Sequence, residues 1–352
     1  MSRRTSSVPR FPAWLQPRSL EAEDCGRVVV LQEGGRVIGL FPGGSQENLL
    51  WTHPALASAS SSRRLCRSES WSNLGGDRTW LSPELEFFYP RYPDTSVYAP
   101  PRTLDPGAYR VQDREPGAIS LTTRALVMAY RADRKVPLRI VKTVRQAANP
   151  LGAALPPGVD YAGYSLEVTL DAPAKTRALP LVAIWNLLQL PHGGELFIPT
   201  YAKCQPTRFF GIIPPDDLRV SNRCVSYRMA AVGEQKISVP ALATTGRMAY
   251  LRHEGRTARL VVRSFQPDPC GIYADAPADR PTETGFALQA CNVNSTLGAF
   301  SEMEHHAPAI GGDTGLRKRQ DVSQVWGFRG PRAAIEEVMQ VLCGISNRRD
   351  RI

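Results

Sequence analysis

The sequence predicts an all-β sandwich closed by one terminal helix. A series of short runs, rich in β-branched and aromatic residues, fills the stretch from residue 118 to residue 328. Turn residues separate these runs at short intervals, as in a sandwich. Helical periodicity with a start and a stop signal occurs only at 331–343.

No linker divides the series, so the 352 residues predict one large domain over 21–346. The polar, Pro- and Arg-rich stretch 1–20 reads as a loose tail, and 347–352 as a basic C-terminal tail. The hydrophobic fraction of 42% suffices for a sizeable core. The formal charge of +10 comes from 43 basic against 33 acidic residues, and only six of the basic ones are Lys. These charges are dispersed, and no basic stripe with interleaved aromatics appears, which argues against a nucleic-acid partner. The excess reads instead as solubility and weak attraction to anions. No apolar run reaches the roughly 18 residues of a membrane span. No apolar segment follows Arg3, Arg4 and Arg10, so a cytoplasmic location is expected. Seven cysteines at wide spacing, without Cys-x-x-Cys, argue against a disulfide framework and a zinc knuckle.

In chain order, 28–31, Gly34-Gly35 and 37–41 read as a hairpin. Residues 58–62 read as a serine-rich loop. Residues 75–84 read as a glycine-led loop. The aromatic, Pro-rich stretch 87–106 reads as a long ordered loop able to cover a cleft. Strand-like runs follow at 119–130, 138–145, 164–170, 181–190 and 196–199. Further runs are 209–213, 223–231, 247–252, 258–265, 286–293, 299–306 and 322–328. The pair 247–252 and 258–265 flanks His253-Glu254-Gly255-Arg256, a hairpin signal. Pro331 starts the helix, Ile335, Val338, Met339 and Leu342 give it an apolar face, and Gly344 stops it.

Four stretches carry candidate chemistry. The first is Gly75-Gly76-Asp77-Arg78-Thr79-Trp80-Leu81-Ser82-Pro83-Glu84. The glycines permit a close backbone approach. Asp77, Arg78 and Glu84 supply charge-assisted hydrogen bonds, and Trp80 an apolar face, as a polyhydroxylated ring requires. The second is 300–308, where strand geometry puts Glu302, Glu304 and His306 on one face and Ser301, Met303 and His305 on the other. Two close carboxylates raise one pKa toward neutrality, which suits a general acid or base. His192, His305 and His306 with these glutamates also offer metal ligands, but at no diagnostic spacing, and no metal is expected. The third is 183–195, where Trp185 and Gln189 share a strand face and could form a sugar-binding wall. The fourth is Arg263 on the strand ending at Phe265, free to bind an anion or to pair with Asp275, with Lys142 as a second isolated cation. There is no P-loop, Rossmann fingerprint, Gly-x-Ser-x-Gly elbow or kinase set, so no cofactor is expected.

Taken in order, these stretches resemble a known superfamily. The series runs Asn48-Leu49-Leu50-Trp51, residues 75–84, Ile184-Trp185-Asn186-Leu187-Leu188-Gln189, Gly193-Gly194 and Ile198-Pro199. It continues with Gly246-Arg247-Met248-Ala249-Tyr250, Val262-Arg263-Ser264-Phe265, Tyr273-Ala274-Asp275 and residues 302–308. Over most of 25–345 it is similar to uncharacterised bacterial members of the galactose-mutarotase-like superfamily, which includes the aldose 1-epimerases. The resemblance implies a β-supersandwich of mostly antiparallel sheets with a carbohydrate cleft on the concave side. It also implies a late-strand Glu as the base that takes the anomeric hydroxyl proton, a role that falls on Glu304 with Glu302 beside it. The epimerases carry an acid His in their early Gly-rich motif or before a Tyr-Phe-Asn-Leu strand. Here those regions read Gly75-Gly76-Asp77-Arg78 and Ile184-Trp185-Asn186-Leu187. The acid must then come from Glu84, Asp77, His305 or His306.

The expected function is therefore carbohydrate binding, with sugar epimerisation or mutarotation as the activity. Glu304, Glu302 and Glu84 are the expected catalytic groups. Asp77, Arg78, Trp80, Trp185, Gln189, Arg263 and His306 are the expected ligand contacts. A binding module without chemistry and a polysaccharide lyase or hydrolase are the alternatives.

Overall fold

The computed structural model describes residues 11–22, 26–43, 45–68, 71–112, 115–176 and 178–345. The basic tail expected at 347–352 and the first ten residues of the expected N-terminal tail lie outside the described residues.

Among the described residues, the strands in chain order begin with β1 (Pro17–Ala22), β2 (Gly26–Leu31), β3 (Arg36–Phe41), β4 (Asp77–Ser82) and β5 (Arg110–Gln112). Next come β6 (Ala118–Ala129), β7 (Arg134–Gln146), β8 (Asp160–Asp171), β9 (Ala183–Pro191) and β10 (Glu195–Pro199). They continue with β11 (Thr207–Phe210), β12 (Leu218–Val220), β13 (Cys224–Arg228), β14 (Gly233–Pro240) and β15 (Arg247–Glu254). The last are β16 (Thr257–Phe265), β17 (Phe286–Ser295), β18 (Gly298–His306) and β19 (Lys318–Pro331). One sheet has the order β1-β2-β3-β4-β9-β18-β17-β14-β11. The other has the order β12-β13-β10-β15-β16-β19-β8-β7-β6-β5. Neighbouring strands are antiparallel throughout.

Side-chain alternation builds the sandwich. Strand β8 buries Leu166, Val168 and Leu170, and strand β9 buries Ile184, Leu188 and Leu190, in one core cluster. Because β9 also needs its other face covered, its residues are buried along nearly the whole length.

Among the described residues, three α-helices add to the sheets: α1 (Ala59–Cys66), α2 (Glu84–Phe87) and α3 (Arg332–Cys343). Helix α3 sets Ile335, Val338, Met339 and Leu342 against Leu260, Val262, Trp326 and Phe328, closing an outer patch of the second sheet. Each such burial stabilises by about 2 kcal/mol. Gly344 ends α3 in the left-handed region at φ 68°, as the sequence predicts.

The structure corrects several local expectations. Residues 17–20, expected in a loose tail, form part of β1, which pairs along its length with β2. The serine-rich stretch at 58–62 begins α1, because the Ser58 side chain caps the helix by accepting from Ser61 N. The stretch 77–82, expected as a loop, is the inner strand β4 between β3 and β9. Its two leading glycines serve sheet packing instead of a ligand. A Cβ at Gly76 would meet the Val37 carbonyl oxygen at 2.2 Å, and one at Gly75 the Trp51 carbonyl oxygen at 2.4 Å. No described helix is long and apolar enough to cross a membrane.

Candidate functional site

The outer face of the first sheet carries a cleft of about 260 Å³. Five adjacent strands supply its floor. Arg78 and Trp80 come from β4, Trp185 and Leu187 from β9, Glu302 and Glu304 from β18, Cys291 and Val293 from β17, and Lys236 from β14. Period-two alternation puts these residues on one face, and their strand neighbours point into the core. Glu84, at the start of α2, and Tyr89 and Tyr98, from the Pro-rich stretch, form one wall. That stretch thus walls the cleft on one side.

Charge organises the floor. Lys236 Nζ lies 3.0 Å from Glu304 Oε2 and 3.9 Å from Glu84 Oε2. Trp185 Nε1 donates to the same Glu304 Oε2 at 2.8 Å, which leaves Oε1 buried without a partner. Glu302 Oε1 accepts from Arg78 Nη2 at 3.0 Å and from Gln189 Nε2 at 2.8 Å. Burial pushes the Glu304 carboxyl up to about 7, with Glu302 adding to the rise and Lys236 opposing it. Burial also raises Glu84; Lys236 and the Tyr98 hydroxyl, 2.8 Å from its Oε1, oppose the rise, while Asp275 adds to it. Burial works against the Lys236 ammonium too, yet Glu304, Glu84 and Asp275 hold it above its usual range.

Glu304, Glu302, Glu84, Arg78, Trp80 and Trp185 meet in this cleft, and Gln189 reaches it through Glu302. The two indoles do not offer the stacking surface expected of them. Arg78 lies over the Trp80 ring at 4.2 Å, and Trp80 Nε1 is held by Asp105. Trp185 has the His306 ring stacked at 5.5 Å and 12°, and Lys236 over its ring at 4.5 Å. Both are almost fully buried. The exposed aromatics are Tyr98 and Phe210, each 39% exposed, at the cleft rim.

Asp77 and Arg263 do not join the cleft. They form an ion pair between the sheets, both fully buried, to which the Tyr164 hydroxyl donates at 2.7 Å through Asp77 Oδ2. The reason is strand parity. Asp77 is one residue from Arg78, so it points to the opposite face of β4. Arg263 therefore pairs with Asp77 and not with Asp275, which instead accepts from Glu84 N and Gln289 Nε2, each at 2.7 Å. His305 likewise faces inward, with Nε2 2.9 Å from Asp321 Oδ2. Lys142 is buried between the sheets and donates to the Gly35 carbonyl at 2.6 Å. His306 lies on the cleft side but beneath Trp185, with Nδ1 3.0 Å from Ser82 Oγ. Burial, then Lys236 and His305, push His306 well below its usual range, so it is neutral. His192 pairs with Asn292 at 2.9 Å away from the cleft.

Lys236 is the floor residue that the sequence reading did not single out. The signal was present in Lys236-Ile237-Ser238-Val239, where apolar residues alternate with polar ones. Cys291 is a second addition. Its sulfur and one oxygen from each of Glu302 and Glu304 lie within 4.8 Å of one another, so these three could hold a metal ion. Both carboxylates already face a cation, Arg78 or Lys236, and a divalent ion there would have to displace or repel it.

Two stacked antiparallel sheets with a charged cleft on one outer face define a galactose-mutarotase-like β-sandwich. The chain belongs to a family of unknown function, DUF6786, whose profile matches residues 63–349. In fold it is similar to an aldose 1-epimerase candidate from Escherichia coli K12, with a TM-score of 0.53 at 9% identity, over 90% of this chain and 99% of that one. It is also similar to galactose 1-epimerase from Lactobacillus acidophilus NCFM, with a TM-score of 0.45 at 8% identity, over 90% and 95% of the two chains. An aldose epimerase homologue from C. elegans aligns with a TM-score of 0.39 at 8% identity, over 90% and 98%. At such identities the likeness concerns the fold alone. No curated protein matches the sequence.

Proposed function

We propose that the protein binds a sugar in the sheet-face cleft and exchanges its anomers. The observation that supports this most is Glu304, a carboxyl lifted to about 7 with one buried oxygen left without a partner in the cleft. A group with that pKa can take and return a proton near neutral pH. In the proposed reaction, Glu304 removes the anomeric hydroxyl proton while a second group protonates the ring oxygen. The bond between the anomeric carbon and the ring oxygen breaks, and the carbonyl form rotates and recloses.

The acid is assigned by elimination among the groups the sequence offers. Asp77 and His305 face the core, and His306 is neutral and buried beneath Trp185. Glu84 remains: its carboxyl is raised, it lies in the cleft wall, and Lys236 links it to Glu304. Arg78 orients Glu302, and Gln189 donates to the same carboxylate oxygen. The sugar ring would stack on the rim aromatics Tyr98 and Phe210, because the floor indoles are covered.

Anomer exchange followed by NMR over a panel of neutral aldoses tests the reading. Catalysed exchange that disappears in folded Glu304→Gln is the expected result. A panel without acceleration by the wild type would overturn the activity.

Binding without turnover is the second reading. The ion pairs that already engage both floor glutamates favour it. It predicts saturable sugar binding at an unchanged exchange rate.

A further inference from the structure

Far from the sugar cleft, on the outer face of the second sheet, three arginines converge. Arg110 of β5, Arg124 of β6 and Arg139 of β7 line a hollow of about 520 Å³, together with Ala108, Thr122 and Thr123. They lie 14 and 15 residues apart in sequence, so no basic cluster shows there. Strand register brings them together. Arg110 is opposite Thr122, two residues before Arg124, and Arg124 is directly opposite Arg139.

This placement has a cost. Like charges directly across an antiparallel ladder destabilise it, and each prefers an opposite charge as its cross-strand neighbour. Among the described residues, no carboxylate forms an ion pair with any of the three. Asp171 of β8 is in register with Arg139, but it also faces Lys318 of β19 and forms no ion pair with Arg139. The arginines therefore keep their guanidinium donors for something outside the chain. Two of them are exposed and Arg139 is half-buried, so an arriving ligand meets the donors without moving the sheet. The hydroxyl of Thr122, directly opposite Arg110 and two residues before Arg124, supplies a neutral donor on the same face.

We propose that this hollow binds a tetrahedral oxyanion, a phosphate or sulfate group. Arginine forks match two oxygens of such a group at once, and three forks around one hollow suit a multiply charged anion. The site is independent of the cleft, which lies on the other sheet.

Isothermal titration with inorganic phosphate and with inorganic sulfate, at low salt, tests the proposal on the full chain. Wild type should bind at least one of the two anions. The triple variant R110Q/R124Q/R139Q should bind it at least about tenfold more weakly, given the strength of charge-assisted hydrogen bonds. Phosphate preferred over sulfate assigns a phosphate ester as the natural group, and the reverse order assigns a sulfate ester. Without ligand, Arg124→Gln should melt at or above the wild-type temperature, since it removes the facing positive charge. Glu304→Gln should bind the anion as wild type does. Unchanged affinity in the triple variant, or no binding of either anion by wild type, would overturn the proposal.

Discussion

Lys236 and Glu304 form a buried ion pair across the open face of the sheet, 3.0 Å apart, with neither side chain more than 3% exposed. The strands that carry them are not adjacent, since β17 lies between them. Removing the cation should therefore do more than loosen one contact. In Lys236→Met the Glu304 carboxyl loses its counter-charge and should climb above about 7. The variant should be destabilised by about 3–5 kcal/mol where the wild-type pair is charged, and by less in acid, where Glu304 carries its proton. Denaturant unfolding above neutrality and again near pH 5 measures the difference. Equal losses at both would contradict the pairing.

The pH dependence of turnover follows from the same carboxyl. The base must be ionised and the acid Glu84 must keep its proton, so anomer exchange should rise as the pH passes through about 7 and fall again once Glu84 ionises. Stability should move the other way. The folded protein holds a proton on Glu304 that the unfolded chain releases near the ordinary carboxyl value of 4.5, so this group costs stability as the pH rises from there to about 7. Comparing wild type with Glu304→Gln across that window isolates the effect.

Ligand charge gives a third expectation. Glu84, Glu234, Glu302 and Glu304 line the cleft against Arg78 and Lys236. With acids in excess, a neutral sugar should raise the melting temperature more than the corresponding uronate or sugar phosphate. A larger shift from the acidic sugar would place its anion on Arg78, in competition with Glu302.

Asp77 and Arg263 should report on folding and not on ligands. Both are fully buried between the sheets. Arg263→Met leaves Asp77 without its cation and should cost about 3–5 kcal/mol, whereas the double change with Asp77→Leu should recover much of that loss. Chemical denaturation of the three proteins checks this. Sugar affinity of whatever fraction remains folded should stay unchanged.

The fold was legible because hydrophobic patterning dominates it. Most of the inner strands, including β9, β16 and β18, carry enough apolar or alternating residues to be read directly, and Pro331 and Gly344 bracket the one long amphipathic helix. Strand β4 was not legible, because its charged residues imitate a loop. Asp77 and Arg263 hide their charge by finding each other across the sandwich, and a pairing 186 residues apart leaves no local trace. The same parity separates Asp77 from Arg78, so reading 75–84 as one site merged two faces of one strand. Glu302 and Glu304 were readable because the alternation that joins them is local. Their partners Arg78 and Lys236 come from other strands, so the pairing depends on register.

The covered face of Trp185 has an optical consequence. Its indole N–H rests on Glu304, an ammonium sits over its ring, and an imidazole is stacked on it. Indole emission responds to the electric field across the ring. A proton leaving Glu304, or a ligand drawing Lys236 aside, changes that field with no movement of the strand. The covered ring is placed to act as a native fluorescent gauge of the cleft, reading its charge state without an attached label.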